Sequence, residues 1–197
     1  MWDQRYSVTE YVFGTDPAAF LVGHADLFEP GSETLVVADG EGRNSVYLAS
    51  QGLKVTAMDV SEVGVRKARR LASDRGVTVD FQVADVLDWD WKPDAYDVVV
   101  AVFVQFLNPP QRSTVFHGMQ WTLRPGGRLL LQGYRPEQIQ YATGGPTDPA
   151  HLYSESLLAD AFAEMQIDEL RSYDATISEG TGHAGISALI DLVATKL

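Results

Sequence analysis

The chain predicts an α/β fold in which a parallel, doubly wound sheet carries its ligand at the carboxyl ends of the strands. Three observations point there. Apolar β-type runs alternate with helical stretches from residue 34 to 132. One run, 96–103 (YDVVVAVF), is almost unbroken in β-branched residues, as in a central strand covered on both faces. The first run ends in an acidic, glycine-punctuated turn that leads into a helix. The apolar segments spread evenly along the 197 residues, so one domain spanning 1–197 is expected.

In order, residues 1–31 interleave Trp2, Tyr6, Tyr11 and Phe13 with Arg5 and Glu10, and Asp16 before Pro17 suits a helix start. This segment reads as a lid or as a packing arm. Leu35, Val36 and Val37 form the first strand, residues 38–42 the turn, and Asn44 opens a helix stopped by Gly52. A second strand covers 54–59. Ser61 then caps a helix that buries Val65, Ala68 and Ala72 and ends at Gly76. A third strand covers 77–83, and the fourth is the run at 96–103. Pro109 and Pro110 start a helix to Leu123 with Val115 and Met119 on its inner side, and residues 124–127 (RPGG) turn into a strand at 128–132. Residues 133–151 have little periodicity, and a loop that long beside a strand end is expected to build a substrate pocket. Ser154 caps a helix with Leu157, Leu158, Ala161 and Phe162 on one face. Strands at 166–173 and 186–194 flank a glycine-rich loop, SEGTGHAG.

Composition narrows the chemistry. A formal charge of −12 opposes binding to nucleic acid, where clustered Lys and Arg supply the affinity. The basic group Arg66, Lys67, Arg69 and Arg70 reads as a solvated helix face. No run approaches the roughly 20 apolar residues of a membrane span, and the N-terminus has no apolar signal core, so a cytoplasmic protein without a membrane partner is expected. With no cysteine there is neither thiol nucleophile nor thiolate metal site. The four histidines have no metal-ligand spacing, and no metal is expected.

The turn itself selects the ligand. Glycines allow close backbone approach, and free N–H groups at the helix start offer donors. Asp39 and Glu41 in the same turn repel a phosphate and attract an amine. A dinucleotide fingerprint needs a third glycine where Ser45 stands, so that test fails. Asp59 closes the second strand, where a carboxylate can accept both hydroxyls of a ribose, and Asp85 follows the third, where it can accept from an adenine amine. Adenosine joined to an ammonium-bearing group describes S-adenosylmethionine.

The order GEGRNSVYLA, AMDVS, ADV, YDVVVAVF and LRPGG resembles the class I S-adenosylmethionine-dependent methyltransferases. Within them, the WDQRY segment followed by YVFGT is similar to a small bacterial group related to the tellurite-resistance methyltransferases. The resemblance implies a three-layer, Rossmann-like, seven-stranded sheet of order 3-2-1-4-5-7-6 with strand 7 antiparallel. It implies methionine-end contacts at Asp39, Gly40 and Gly42, a ribose contact at Asp59 beside Val60, and an adenine site at Asp85 and Val86. One place departs from the pattern: where the family has an acid two residues before its first glycine, this chain has Val36 and Ala38. That leaves Asp39 or Glu41 to hold the amino group.

Methyl transfer is an in-line displacement in which alignment does most of the work. The candidates for removing an acceptor proton are His183, Glu179, Tyr134 and Tyr141. Arg5 and Arg135 can pair with a carboxylate of substrate or cofactor. Phe103 and Gln105 end the fourth strand facing the methyl, and Trp2, Tyr6 or Tyr11 can close over a sulfonium. Gln105, Arg135 and Tyr141 are thus the expected substrate contacts, and the expected partner is a small molecule bound by a monomer or homodimer. A protein or peptide methyltransferase, a non-catalytic S-adenosylmethionine-binding protein and a nicotinamide-dependent reductase are the alternatives.

Overall fold

The computed structural model describes residues 1–180 and 182–197. Seven strands make one sheet: β1 (Glu33–Val37), β2 (Lys54–Asp59), β3 (Asp80–Val83), β4 (Tyr96–Val102), β5 (Leu123–Tyr134), β6 (Met165–Glu179) and β7 (His183–Lys196). Their order is β3-β2-β1-β4-β5-β7-β6. The first five strands pair in parallel, whereas β7 runs antiparallel to both β5 and β6, as the resemblance implied.

Alternation along the central strands sends successive side chains to opposite faces. On one face Leu35, Val99, Leu129 and Leu131 pack with Val115 and Met119 of α5 (Pro109–Thr122) and Leu158 of α7 (Glu155–Ala161). On the other, Val36, Val98, Val100 and Leu130 meet Val46 and Leu48 of α3 (Arg43–Ser50) and Val65, Ala68 and Leu71 of α4 (Glu62–Arg75). Caps behave as the side chains dictate: Ser61 accepts from Gly64 N–H, Ser154 from Leu157 N–H, and Asn108 with Gln111 closes a capping box around Pro109. Gly42 sits at φ 92° with its α-carbon against α4, where a Cβ would fall 2.6 Å from that of Ala68. Its place is set by the contact between α3 and α4.

Several expectations are corrected. Residues 2–6 form a short helix, α1 (Trp2–Tyr6), and the next, α2 (Ala19–Gly23), starts after Ala18 rather than at Asp16. The RPGG turn is absorbed into β5 as an irregularity between the Tyr96 and Val98 pairings, because backbone bonds to β4 resume at once. The stretch 133–151 is not a bare loop: β5 reaches Tyr134, α6 covers Gln138–Tyr141, and a 3₁₀ turn covers Pro149–His151. The last two strands run far past their expected ends, because cross-strand bonds continue from Tyr173↔Leu189 to Glu179↔His183. His183 therefore lies on a strand and not in a loop. Lys67 is no solvated cation: it pairs with Glu41 and donates to the carbonyls of Val8 and Glu10 at 3.0 and 2.6 Å.

Candidate functional site

A cleft of about 730 Å³ opens at the carboxyl ends of β1, β2 and β4, a size usual for small-molecule sites. Its floor is the turn after β1. Ala38 takes a left-handed φ of 50°, the conformation that glycine adopts freely and that the motif position requires. The Asp39 carboxylate is enclosed and accepts from Ser45 N–H at 3.2 Å and Ser45 Oγ at 2.5 Å, while the residue as a whole opens onto the cleft. Burial pushes its pKa up to about 6, against the pull of the two Ser45 bonds, and the neighbouring Asp59 adds to the rise.

Asp59, 7% exposed, accepts from Ser61 N–H at 2.8 Å and from Gly40 N–H at 2.9 Å. The end of β2 and the glycine turn are thereby tied together. Burial raises its pKa while those bonds oppose it. Each oxygen keeps lone-pair capacity for another donor. Val60 beside it is exposed and lines the cleft. Beyond β3, Asp85 is exposed with one oxygen accepting from Leu87 N–H at 2.9 Å, and Val86 is buried beneath it. Both residues line the cleft.

The N-terminal arm is the roof. Tyr6, 4% exposed, stacks on Trp2 with centroids 5.7 Å apart and meets Phe13 edge-on. The Arg5 guanidinium lies 5.3 Å from the Trp2 ring centre and 4.9 Å from that of Phe13. All four line the cleft. Tyr11 does not: its hydroxyl donates to the Lys67 carbonyl at 3.2 Å. Asp3 anchors the arm by accepting from Ser61 Oγ and from Val63 N–H.

The far end is aromatic. Phe103, left-handed at φ 58°, stacks on Tyr134 at 4.6 Å, and His183 stands among Phe13, Phe103 and Tyr134 with centroids 4.4, 4.6 and 5.6 Å away. His183 Nδ1 lies 3.3 Å from Glu179 Oε2, and the same oxygen accepts from Arg43 Nη2 at 2.8 Å. Burial depresses the His183 pKa, partly offset by Glu179, with Arg43 and Arg5 pushing the same way as burial. Burial acts to raise Glu179, but His183 and Arg43 overcome it and leave the carboxyl below its ordinary value. A neutral imidazole beside an ionised carboxylate can take a proton from a group in the cleft.

Five expected contacts do not face the cleft. Glu41 is turned away, paired with Lys67 and accepting from Val12 N–H at 2.7 Å. Gly42 faces α4. Arg135 pairs with Asp174, and Tyr141 donates to the same Asp174 at 2.7 Å, so the two close on each other outside. Glu179 does not line the cleft and pairs with His183 and Arg43, which do. Gln105 does line the cleft, yet its amide is engaged: Nε2 donates to the Tyr134 and His151 carbonyls and Oε1 accepts from Tyr134 N–H. It fixes the strand end and offers no free donor. Burial raises the Tyr134 phenol far above neutrality, which removes it as a base. Phe13 and Arg43 belong to the site but carried no signal of spacing, since only the fold brings residues 13 and 43 beside 179 and 183.

Residues 35–127 match the family described as a methyltransferase domain. The chain is 30% identical over 114 residues, 57% of its length and 46% of the relative's, to a ubiquinone biosynthesis O-methyltransferase of Idiomarina loihiensis. It is 30% identical over 128 residues, 64% and 46% of the two lengths, to a carboxy-S-adenosyl-L-methionine synthase of Yersinia pestis. It thus spans about half the length of the curated relatives it matches. Among solved structures, TehB from Haemophilus influenzae superposes with a TM-score of 0.75 at 18% identity, covering 100% of this chain and 66% of that one. The magnesium protoporphyrin IX methyltransferase of Synechocystis, with bound SAM, gives 0.65 at 21%, covering 91% and 76%. At these identities the structural likeness is one of fold.

Proposed function

We propose that this chain is a class I S-adenosylmethionine-dependent methyltransferase that transfers the methyl group of S-adenosylmethionine to a small molecule held at the aromatic end of its cleft. One observation carries the reading: a single cleft has the carboxylates of Asp59 and Asp85 at one end and a neutral His183 at the other, under an aromatic roof. When bound, the cofactor supplies an electrophilic methyl on a sulfonium. Asp59 accepts from the ribose hydroxyls, and Asp85 accepts from the adenine amine with Val86 packed below. Gly40 brings the backbone close to the ligand. Asp39 is the carboxylate left to hold the amino group, because Glu41 is consumed by Lys67 and Val12. The faces of Tyr6 and Trp2 suit positive charge, and the Arg5 fork suits a carboxylate. Phe103 and Tyr134 wall the acceptor, and His183 Nε2 removes its proton as the displacement proceeds in line.

The acceptor end is lined by the arm, residues 144–148 and Gly182 and His183 of the β6–β7 hairpin, in a cleft whose volume suits a small molecule better than a peptide segment. The relatives named for ubiquinone biosynthesis and for a modified S-adenosylmethionine are in keeping with that size of substrate. The test is release of S-adenosylhomocysteine from pooled hydroxyl-, thiol- and amine-bearing metabolites, tellurite and selenite, with basic peptides in a separate arm. Release from the small-molecule pools is expected. Release from the peptides alone, or cofactor binding without release from any pool, would overturn the acceptor assignment or the activity respectively.

A further inference from the structure

The reading of His183 as proton acceptor leaves a question of geometry: what fixes an imidazole near the end of a long hairpin, in the pair Glu179↔His183 where the two strands' pairing ends? Glu179 faces it from β6, but a carboxylate buried in an aromatic pocket tends to take up a proton and so lose its hold on Nδ1. Arg43 meets that need. It is the first residue of α3, directly after the glycine turn, and its side chain, 8% exposed, crosses to the hairpin. Nη2 donates to Glu179 Oε2 at 2.8 Å and Nη1 to the Asp16 carbonyl at 3.4 Å. One carboxylate oxygen therefore receives the guanidinium and the imidazole together.

We propose that Arg43 is a positioning residue: by pairing with Glu179 it holds the carboxylate toward His183 Nδ1, so that Nε2 carries the lone pair presented to the cleft. The proposal rests on His183 being the proton acceptor. Geometry supplies the rest. Nδ1–H donates to a carboxylate that accepts from both sides, which selects one tautomer and one ring orientation. The guanidinium also keeps the pair's net charge from drawing a proton onto the imidazole near neutrality. Because Arg43 leaves the turn that floors the cleft, the cofactor end and the acceptor end share one ion pair.

The charged and titratable groups facing His183 are Glu179 from β6, Arg43 from α3, Arg5 from α1 and the Tyr134 hydroxyl from β5. Removing Arg43 raises the pH at which the histidine–glutamate pair binds its proton, and removing Glu179 lowers it, so the two variants move in opposite directions. The experiment is an NMR titration of the imidazole C–H signals in the full chain. His183 is identified by the signal lost in His183→Asn, and Arg43→Gln, Arg43→Lys and Glu179→Gln are compared at matched far-UV circular dichroism. The expected result is a rise of the midpoint by a unit or more in Arg43→Gln, a fall in Glu179→Gln, and a value near that of the unaltered chain in Arg43→Lys. The acid limb of the pH dependence of kcat/KM should move with each midpoint. Unmoved midpoints in folded variants, or both moving the same way, would overturn the proposal. Where Arg43→Gln does not fold, the fall in Glu179→Gln and the retained midpoint in Arg43→Lys decide. The titration needs no acceptor, so a failed search for methyl transfer leaves this result standing on its own.

Discussion

In the proposed role of Asp39 as holder of the amino group, the cofactor's affinity depends on pH. Its folded pKa, about 6, lies above the ordinary value of 3.8. Stability from this group is therefore fully present below pH 4 and is lost as pH rises through 6, while an ammonium ligand requires the ionised form that appears over the same interval. Calorimetry is expected to show cofactor binding that weakens as pH falls below about 6, with Asp39→Asn binding weakly and without that dependence. An affinity flat from pH 5 to 8 in the unaltered chain would remove Asp39 from the ligand. Phe103 makes a different point at the same scale: an aromatic residue held at φ 58° is strained, and its ring is stacked on Tyr134 and set edge-on to His183. The strain sits at the aromatic end of the cleft, where we propose the acceptor binds.

Among elements, the N-terminal arm joins three parts of the molecule. Val12 donates its N–H to Glu41 in the glycine turn and accepts at its carbonyl from Gly182 N–H in the hairpin, so this one residue of the arm ties the turn to the hairpin. Gly180 permits that closeness, since a Cβ there would lie 2.3 Å from the Val12 carbonyl oxygen. Gly180→Ala is expected to free the arm: limited proteolysis should cut near Arg5 faster, and cofactor affinity should fall several-fold while the sheet stays intact. Glu41→Gln leaves Lys67 without its buried partner and is expected to cost about 3 kcal/mol in urea unfolding. The sequence disclosed the aromatic character of this arm but not its fastening. Glu41 reads as a ligand group because it lies in an acidic turn, and only a cation 26 residues away, carried round by α4, reveals that it is spent.

For the whole molecule, the division of labour is between a sheet that holds the fold and loops that line the cleft. Met119, fully buried among β4, β5 and α5, belongs to the first. Met119→Ala is expected to lose roughly 2–5 kcal/mol of stability by denaturant unfolding while leaving cofactor affinity within twofold at low temperature. Strand runs and most helix starts were legible because period and capping are local, and the meeting of Asp59 and Asp85 at one cleft was legible because both follow strands. The aromatic end of the cleft was not, because it is assembled from residues 13, 43, 103, 134 and 183, whose meeting depends on strand order and on how far the final hairpin extends. Arg135 and Tyr141 show the same limit: both carry suitable chemistry, and both are captured by Asp174 on the neighbouring strand.

Everything proposed for the molecule depends on one cleft holding S-adenosylmethionine through Asp59 beneath the aromatic arm. Isothermal titration of S-adenosylhomocysteine into the unaltered chain and into Asp59→Ala, with folding of each checked by melting, tests it most directly. A single site is expected in the unaltered chain, with at least a tenfold loss in the variant, about 1.4 kcal/mol or more. No binding to the unaltered chain, or equal affinity in a folded Asp59→Ala, would contradict it.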